Sequence, residues 1–196
     1  MPFTIAAEKA ALRRSVKDTI LSPWEKAHSD TLLLERFLAL SPVVQASSLL
    51  LFYGVDTEPD TVRLLEPLAA MGKTLALPRC LPHRGMEARL YRGTSHLVPG
   101  PFGIPEPDTA CPVIARDRFD VILVPALCCD RLCYRLGHGG GYYDRYLSGY
   151  SGLSVVLCRD KLLQTSLPVD RYDIPVGLVL TETVCLSSSP TEKSGA

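Results

Sequence analysis

The stretch Arg135-Leu136-Gly137-His138-Gly139-Gly140-Gly141-Tyr142-Tyr143-Asp144-Arg145-Tyr146 constrains the fold of this chain more than any other. Four of the five positions from Gly137 to Gly141 are glycine, and they lie between an apolar run, Phe119 to Pro125, and a helical pattern starting at Tyr142. Glycine adopts backbone conformations closed to other residues and puts no Cβ between main-chain N–H groups and a ligand. A helix that starts directly afterwards aims unpaired N–H groups and the positive end of its dipole at the same spot. Such a strand-loop-helix unit reads as an anion site, with phosphate the best-suited anion. It is not a Walker loop, since no Lys-Ser or Lys-Thr pair follows the glycines. Nor is it a dinucleotide fingerprint, because the helix, strand and acidic spacing does not follow.

Strand and helix signals alternate along the rest of the chain. Ile5 to Leu21 puts Ile5, Ala6, Ala10, Leu12, Val16, Ile20 and Leu21 on roughly one helical face. Ser22-Pro23-Trp24-Glu25 opens a second helix, with Ser22 as N-cap, Pro23 at the first position and Glu25 closing a capping box. That helix is predicted to run to about Leu40, where Ser41-Pro42 interrupts it. Strands are predicted at Ser48 to Tyr53, Thr74 to Leu77 (stopped by Pro78), Met86 to Tyr91, Phe119 to Pro125, Leu153 to Leu157 and Leu178 to Thr181. A helix from Thr61 to Met71 is capped by Gly72. The Pro- and Gly-rich segment from Gly93 to Pro112 is either a functional loop or a rigid crossover. The alternation predicts an α/β fold, a three-layer α/β/α arrangement around a mostly parallel sheet, in one domain over residues 1–186. Residues 187–196, small and polar, read as a frayed, disordered tail.

The 21 basic and 21 acidic residues balance, which removes the electrostatic argument for nucleic acid or an anionic membrane as principal partner. The first helix pattern carries Glu8, Lys9, Arg13 and Arg14 and no signal-peptide core. The longest apolar run, Val121 to Cys129, is about half the ~20 residues that span a bilayer. The expectation is a cytoplasmic protein, monomeric, acting on small molecules. Seven cysteines, an odd number without an export signal, argue against a disulfide framework. Cys128, Cys129 and Cys133 with His138 nearby raise a metal site, but adjacent cysteines lack zinc-knuckle spacing and no second CxxC pair exists. They read as structural thiols.

Ligands of open α/β sheets sit beyond the C-terminal strand ends, where the glycine stretch falls. Asp144, at the helix start, is favoured by the dipole alone, yet beside phosphate it is a natural Mg²⁺ ligand. Asp173, before Ile174-Pro175, is a second such carboxylate or an Asx-turn residue. Arg135, His138 and Arg145 would neutralise phosphate or form a solvated basic rim. Tyr142, Tyr143 and Tyr146 have the helical spacing of packing residues. Glu58 on its own reads as a solvated turn acid.

The run from Arg135 to Leu147 resembles the signature of the 5-formyltetrahydrofolate cyclo-ligases, also called 5,10-methenyltetrahydrofolate synthetases. Lys9-Ala10-Ala11-Leu12-Arg13 is similar to that family's N-terminal ATP-contacting helix, and Glu58-Pro59-Asp60-Thr61 to its folate-contacting turn. Gly103-Ile104-Pro105-Glu106-Pro107 is similar to its loop, and Asp173-Ile174-Pro175-Val176 to its late acidic motif. The matches occur in the right order over nearly the whole chain. They imply a Rossmann-like architecture of the sugar-phosphate isomerase and CoA-transferase type. They also imply ATP- and Mg²⁺-dependent cyclisation of 5-formyltetrahydrofolate to 5,10-methenyltetrahydrofolate, with release of ADP and phosphate. Phosphorylation of the formyl oxygen would precede attack by N10.

Carried onto this sequence, the resemblance gives ATP contacts to Lys9, Ala10, Ala11, Leu12 and Arg13, and to Arg135, Leu136, Gly137, His138, Gly139, Gly140, Gly141, Tyr142 and Tyr143. Tyr53, Glu58 and Tyr143 would meet folate, and Asp144 and Asp173 would hold Mg²⁺. Lys9 and Arg135 would stabilise charge, with no acid, base or nucleophile assigned. Three features depart from the family pattern: Cys133 where glycine is usual, Gly177 where aspartate is common, and the Gly54 to Thr57 turn. Two other readings remain at this point. One is a sugar-phosphate isomerase or CoA-transferase-like enzyme using the loop for substrate phosphate without ATP. The other is a non-catalytic nucleotide-binding module.

Overall fold

Short apolar strands, each buried on both faces, form the centre of the computed structural model, which describes residues 4–19 and 21–188. In chain order the strands are β1 (Ser48–Leu50), β2 (Thr74–Leu81), β3 (Gly85–Leu90), β4 (Leu97–Pro99), β5 (Pro105–Pro107), β6 (Val113–Ile114) and β7 (Val121–Leu123). They continue with β8 (Cys128–Asp130), β9 (Arg135–Leu136), β10 (Leu153–Leu157), β11 (Leu163–Gln164), β12 (Leu178–Leu180) and β13 (Cys185–Ser187). Eight of them make one sheet in the order β13-β12-β10-β7-β1-β2-β3-β6. Neighbours from β12 to β2 pair in parallel, and β13, β3 and β6 add antiparallel edges. The expected mostly parallel α/β sheet is therefore present.

Helices α1 (Ile5–Lys17), α2 (Pro23–Ala39), α3 (Ser41–Gln45), α4 (Leu65–Ala70) and α5 (Tyr142–Leu147) cover it. Strand side chains alternate between two cores, as the period of two requires. Leu49, Leu51, Val121, Leu123, Val155 and Leu157 pack with Leu33, Leu34 and Phe37 of α2, Val43 of α3 and Leu65 and Leu68 of α4. Leu50, Ile122, Val124 and Val156 pack on the other face with Val16 of α1 and Leu147 of α5.

Several boundaries differ from the sequence expectation. α1 ends at Lys17, short of Leu21, and Ile20 lies outside the described residues. Its inward stripe is Lys9, Leu12, Arg13 and Val16, while Ile5 is 42% exposed. The helix therefore borders a polar site instead of laying a wholly apolar face on the sheet. α2 keeps its predicted Ser22 cap and capping box, but Pro42 starts α3, because proline is tolerated in a first turn.

β2 continues through Pro78 to Leu81. The Tyr91 N–H bonds to the Leu75 carbonyl, so in the alternating antiparallel ladder Pro78 turns its nitrogen away from β3. On that side the ladder with β1 makes its last bond from the Leu51 N–H to the Ala76 carbonyl and ends where Pro78 has no N–H to offer. The Gly93 to Pro112 segment holds the β4–β5 hairpin, laid beside β2 by a 2.7 Å bond from Arg79 Nη1 to the Pro107 carbonyl. The β8–β9 hairpin separates β7 from the glycines, so the loop leaves β9 and not the central strand. Buried Asp130 fixes that hairpin: its Oδ1 accepts the Leu132 and Tyr134 N–H groups at 2.9 Å each, and its Oδ2 accepts that of Leu167 at 3.0 Å. Ser187 belongs to edge strand β13 and not to a tail; residues 189–196 lie outside the described residues.

The Glu25 carboxyl is held at about 2, below the usual carboxylate range, by a hydrogen bond from Lys161 and then by the N–H and hydroxyl of Ser22. A carboxyl depressed by folding stabilises above its unfolded value and loses that effect as pH falls through the folded one. An NMR titration of Glu25 should give a midpoint near pH 2 that rises in Lys161→Ala. A wild-type midpoint near the ordinary ~4.3 would show that the contact does not persist in solution.

Candidate active site

The glycine loop lies against α1. Arg13 Nε donates to the Gly137 carbonyl at 2.8 Å. A Cβ at Gly139, where φ is +97°, would come within 3.3 Å of the Arg13 guanidinium carbon. Gly141 is also left-handed, with φ +67°, as it enters α5. These two glycines hold conformations that a side chain would strain, with the Arg13 cation lying across the bend. Arg145 braces the loop from behind, its Nη2 donating to Gly140 O at 2.9 Å and Arg84 O at 2.8 Å. It is thus committed to the backbone and is not a free phosphate ligand. Within the α1 motif, Ala11 is exposed and Leu12 packs into the core, so Lys9 and Arg13 carry its polar function.

Both proposed metal carboxylates already face cations. Lys9 Nζ lies 2.7 Å from Asp170 Oδ2 and 2.5 Å from Asp173 Oδ2. Burial opposes the charge on Lys9, but the two carboxylates prevail and raise its pKa. Asp173 Oδ2 also accepts the Asp170 N–H at 2.7 Å, so it is a turn residue and an ion-pair partner together. Arg135 Nη2 lies 2.8 Å from Asp144 Oδ1, and Arg135 Nη1 donates to Ile174 O at 2.6 Å. The Ile174 N–H points at Asp144 Oδ1 from 3.4 Å. Two carboxylates 29 positions apart in sequence are thus joined through the residue that follows Asp173.

Of the residues expected on the folate side, Glu58 reaches the same loop. Glu58, 6% exposed, accepts the Val55 N–H on Oε2 at 3.2 Å, and its Oε1 lies 3.2 Å from His138 Nε2. The Tyr143 hydroxyl is buried with no hydrogen-bond partner among the described residues. Burial, followed by the nearby Glu58 charge, pushes its ionisation well up, so it remains a phenol. Tyr53 packs at the edge of the core cluster built on β1. Buried Glu106, from the proline-rich segment, accepts the Cys80 N–H at 3.2 Å; burial and then Glu106 push the Cys80 thiol up to about 12. Cys128, Cys129 and Cys133 are buried in the core, and burial raises all three thiols.

Arg159, 2% exposed, is the largest fully buried side chain, and nothing in the sequence pattern singled it out. It donates to Asp30 Oδ1 at 2.7 Å and Ser29 Oγ at 2.6 Å, and reaches Glu58 O at 3.5 Å. It therefore ties α2 to the turn that presents Glu58. Asp130 and Asp170 were also missed; for Asp170 the Asp170-x-x-Asp173 spacing was the one available signal, while Glu106 stood within the Gly103 to Pro107 resemblance without a role.

The departures have local explanations. Cys133 takes φ +66°, a left-handed conformation that glycine adopts freely and cysteine only at a cost of order 1–3 kcal/mol. A Cβ at Gly177 would lie 2.9 Å from Leu153 Cδ1 and 3.1 Å from Ser154 O, so aspartate could not enter without movement. Support for Asp173 comes from Lys9 and the Asp170 N–H instead. At Gly54 a Cβ would meet the Pro59 carbonyl oxygen at 2.0 Å, which makes the tight turn before Glu58 dependent on glycine.

A mostly parallel α/β sheet carrying an arginine-braced glycine loop and two joined carboxylates is the frame of an α/β enzyme. Residues 5–182 match the 5-formyltetrahydrofolate cyclo-ligase family, and the chain belongs to that family. It is 33% identical over 167 residues to the 5-formyltetrahydrofolate cyclo-ligase of Escherichia coli (strain K12), covering 82% of this chain and 92% of that one. It is 34% identical over 139 residues to the cyclo-ligase of Mycolicibacterium smegmatis (strain ATCC 700084 / mc(2)155), covering 66% and 71%. The NMR structure of Aquifex aeolicus 5,10-methenyltetrahydrofolate synthetase superposes with TM-score 0.81 at 29% identity, over 91% of this chain and 92% of that one. Membership sets aside the isomerase-like and non-catalytic readings. Among the described residues, no helix is long and apolar enough to cross a membrane.

Asp30→Ala would leave the Arg159 guanidinium buried without its carboxylate. It should destabilise the protein by about 3–5 kcal/mol in urea unfolding. A loss below about 1 kcal/mol would show that water replaces the pair.

Proposed function

We propose that this site converts 5-formyltetrahydrofolate to 5,10-methenyltetrahydrofolate at the expense of ATP, with Mg²⁺. The observations that carry the reading are that Lys9 meets Asp173, Arg135 meets Asp144, the two carboxylates are joined through Ile174, and Arg13 crosses the glycine loop. The carboxylates suit a hard cation, which takes one or two carboxylates together with phosphate oxygens. Asp144 Oδ2 and Asp173 Oδ1 make no hydrogen bond among the described residues, so each keeps an oxygen for the ion. When bound, Mg²⁺ neutralises phosphate charge and polarises the terminal phosphoryl group.

The chain's own residues then bind and orient. Lys9 and Arg135, now neutralised by the carboxylates, exchange those partners for phosphate oxygens as the nucleotide enters. Arg13, fixed across the Gly137–Gly139 bend, adds a cation that needs no rearrangement. Glu58 accepts N–H groups of the pterin, and the Tyr143 phenol gains in the bound ligand the acceptor it lacks. A formamide carbon is a poor electrophile, and hydroxide a poor leaving group from it. With the reactants aligned, the formyl oxygen attacks the γ-phosphorus and ADP departs. N10 then attacks the activated carbon, its proton is lost, and phosphate leaves carrying the former formyl oxygen.

Mixing the purified chain with 5-formyltetrahydrofolate, ATP and Mg²⁺ should produce the methenyl product's near-ultraviolet absorbance. Folded protein giving no ATP-dependent product would refute the proposal. Asp144→Ala should lower kcat/KM by about 10²–10³-fold with an unchanged circular dichroism spectrum; near-normal turnover would remove Asp144 from the metal site. Lys9→Ala should raise the KM for ATP about tenfold with a smaller effect on kcat, because a flexible ammonium binds phosphate as a point charge. Unchanged ATP dependence would exclude that role.

A further inference from the structure

A second polar cluster lies at the base of the β4–β5 hairpin. Leu97 pairs with Pro107, so His96 and Asp108 stand opposite each other where the hairpin opens, and the Asp108 N–H bonds to His96 O at 2.9 Å. The chain then turns tightly, and Asp108 Oδ1 accepts the N–H groups of Ala110 and Cys111 at 2.8 and 3.1 Å. That turn brings the buried Cys111 back to the hairpin base. One donor atom each from His96, Asp108 and Cys111 lie within 4.8 Å of one another. Backbone pairing and the turn fix all three positions, so no flexible segment has to fold to assemble them.

His96 Nδ1 lies 3.7 Å from Asp108 Oδ2. This is too long for a hydrogen bond. It approaches the ~3.3 Å that separates two ligands on a tetrahedral ion with bonds of ~2.0–2.1 Å. Asp108 Oδ1 is committed to the turn, which leaves Oδ2 for a ligand. Imidazole nitrogen, carboxylate oxygen and thiolate sulfur are together the donors of zinc-type ions and not of Mg²⁺. Arg89 comes close, donating to the Thr109 and Cys111 carbonyls at 2.7 Å each, but its charge is met by Glu87 at 2.6 Å.

We infer that His96, Asp108 and Cys111 bind one zinc-type divalent ion, with a fourth position open to water, separate from the proposed magnesium site. Such an ion would clamp the base of the hairpin whose far end carries Phe102, packed edge-on against Tyr142 at the start of α5 with ring centroids 6.3 Å apart.

The test uses the full chain, stripped with chelator and titrated with Zn²⁺ and separately with Co²⁺ in excess Mg²⁺. Calorimetry should give one zinc equivalent, and the cobalt form should show a thiolate-to-metal charge-transfer band in the near ultraviolet. Cys111→Ser should abolish the band, and His96→Ala, at a half-exposed position, should weaken binding at least ~10-fold while the circular dichroism spectrum is retained. Absence of stoichiometric binding by folded wild-type protein would overturn the inference. So would a band that persists in Cys111→Ser and disappears in Cys80→Ser or Cys185→Ser, because the thiolate would then lie elsewhere.

Discussion

The ion pairs of Lys9 with Asp170 and Asp173 hold the site in its present form. They join the first helix to the last loop across 161 and 164 positions of sequence. Apart from them α1 is held by buried Val16, partly buried Leu12 and the Arg13 bond to the Gly137 carbonyl. The second pair, Arg135 with Asp144, ties α5 to the Ile174 carbonyl from the other side. The arrangement is close to electrically neutral before any ligand arrives. Bringing opposite charges together in advance limits the repulsion that three cations or three carboxylates alone would create, and it leaves both sets oriented for exchange.

Much of this was legible in the sequence because it depends on local rules. The Ser22 cap and Glu25 box, the Leu153 to Leu157 strand and the helix at Tyr142 follow from spacing and short-range hydrogen bonding, and each formed where its residues indicated. The failures depend on neighbours. Pro78 breaks a ladder only on the side its nitrogen faces, and sequence does not reveal that it ends the pairing with β1 while β2 continues along β3. Asp130 looks like any loop acid, yet its two oxygens organise the hairpin from which the glycine loop springs.

The site divides the same way. Residue types and position offered Arg135, Asp144 and Asp173 as candidates and the family resemblance added Lys9, Arg13 and Glu58, but neither says who faces whom. That Lys9 meets Asp173 and His138 meets Glu58 are facts of long-range packing. Arg159 was invisible because a lone arginine after an apolar strand ordinarily reads as a strand end reaching solvent. Burial beside Asp30 and Ser29 turns it into a strut beneath the Glu58 turn.

The His138–Glu58 contact joins the glycine loop to the opposite wall of the site. An occupant that draws His138 toward itself withdraws a neighbour from Glu58, and one that engages Glu58 releases His138. If the proposed nucleotide and folate sites lie on the two sides of this contact, linkage would make that influence equal in both directions, and one coupling free energy would tie the two affinities whatever the order of arrival. On the proposed function the walls of the site would behave as one thermodynamic unit, and a substitution at position 138 would be felt by both ligands at once.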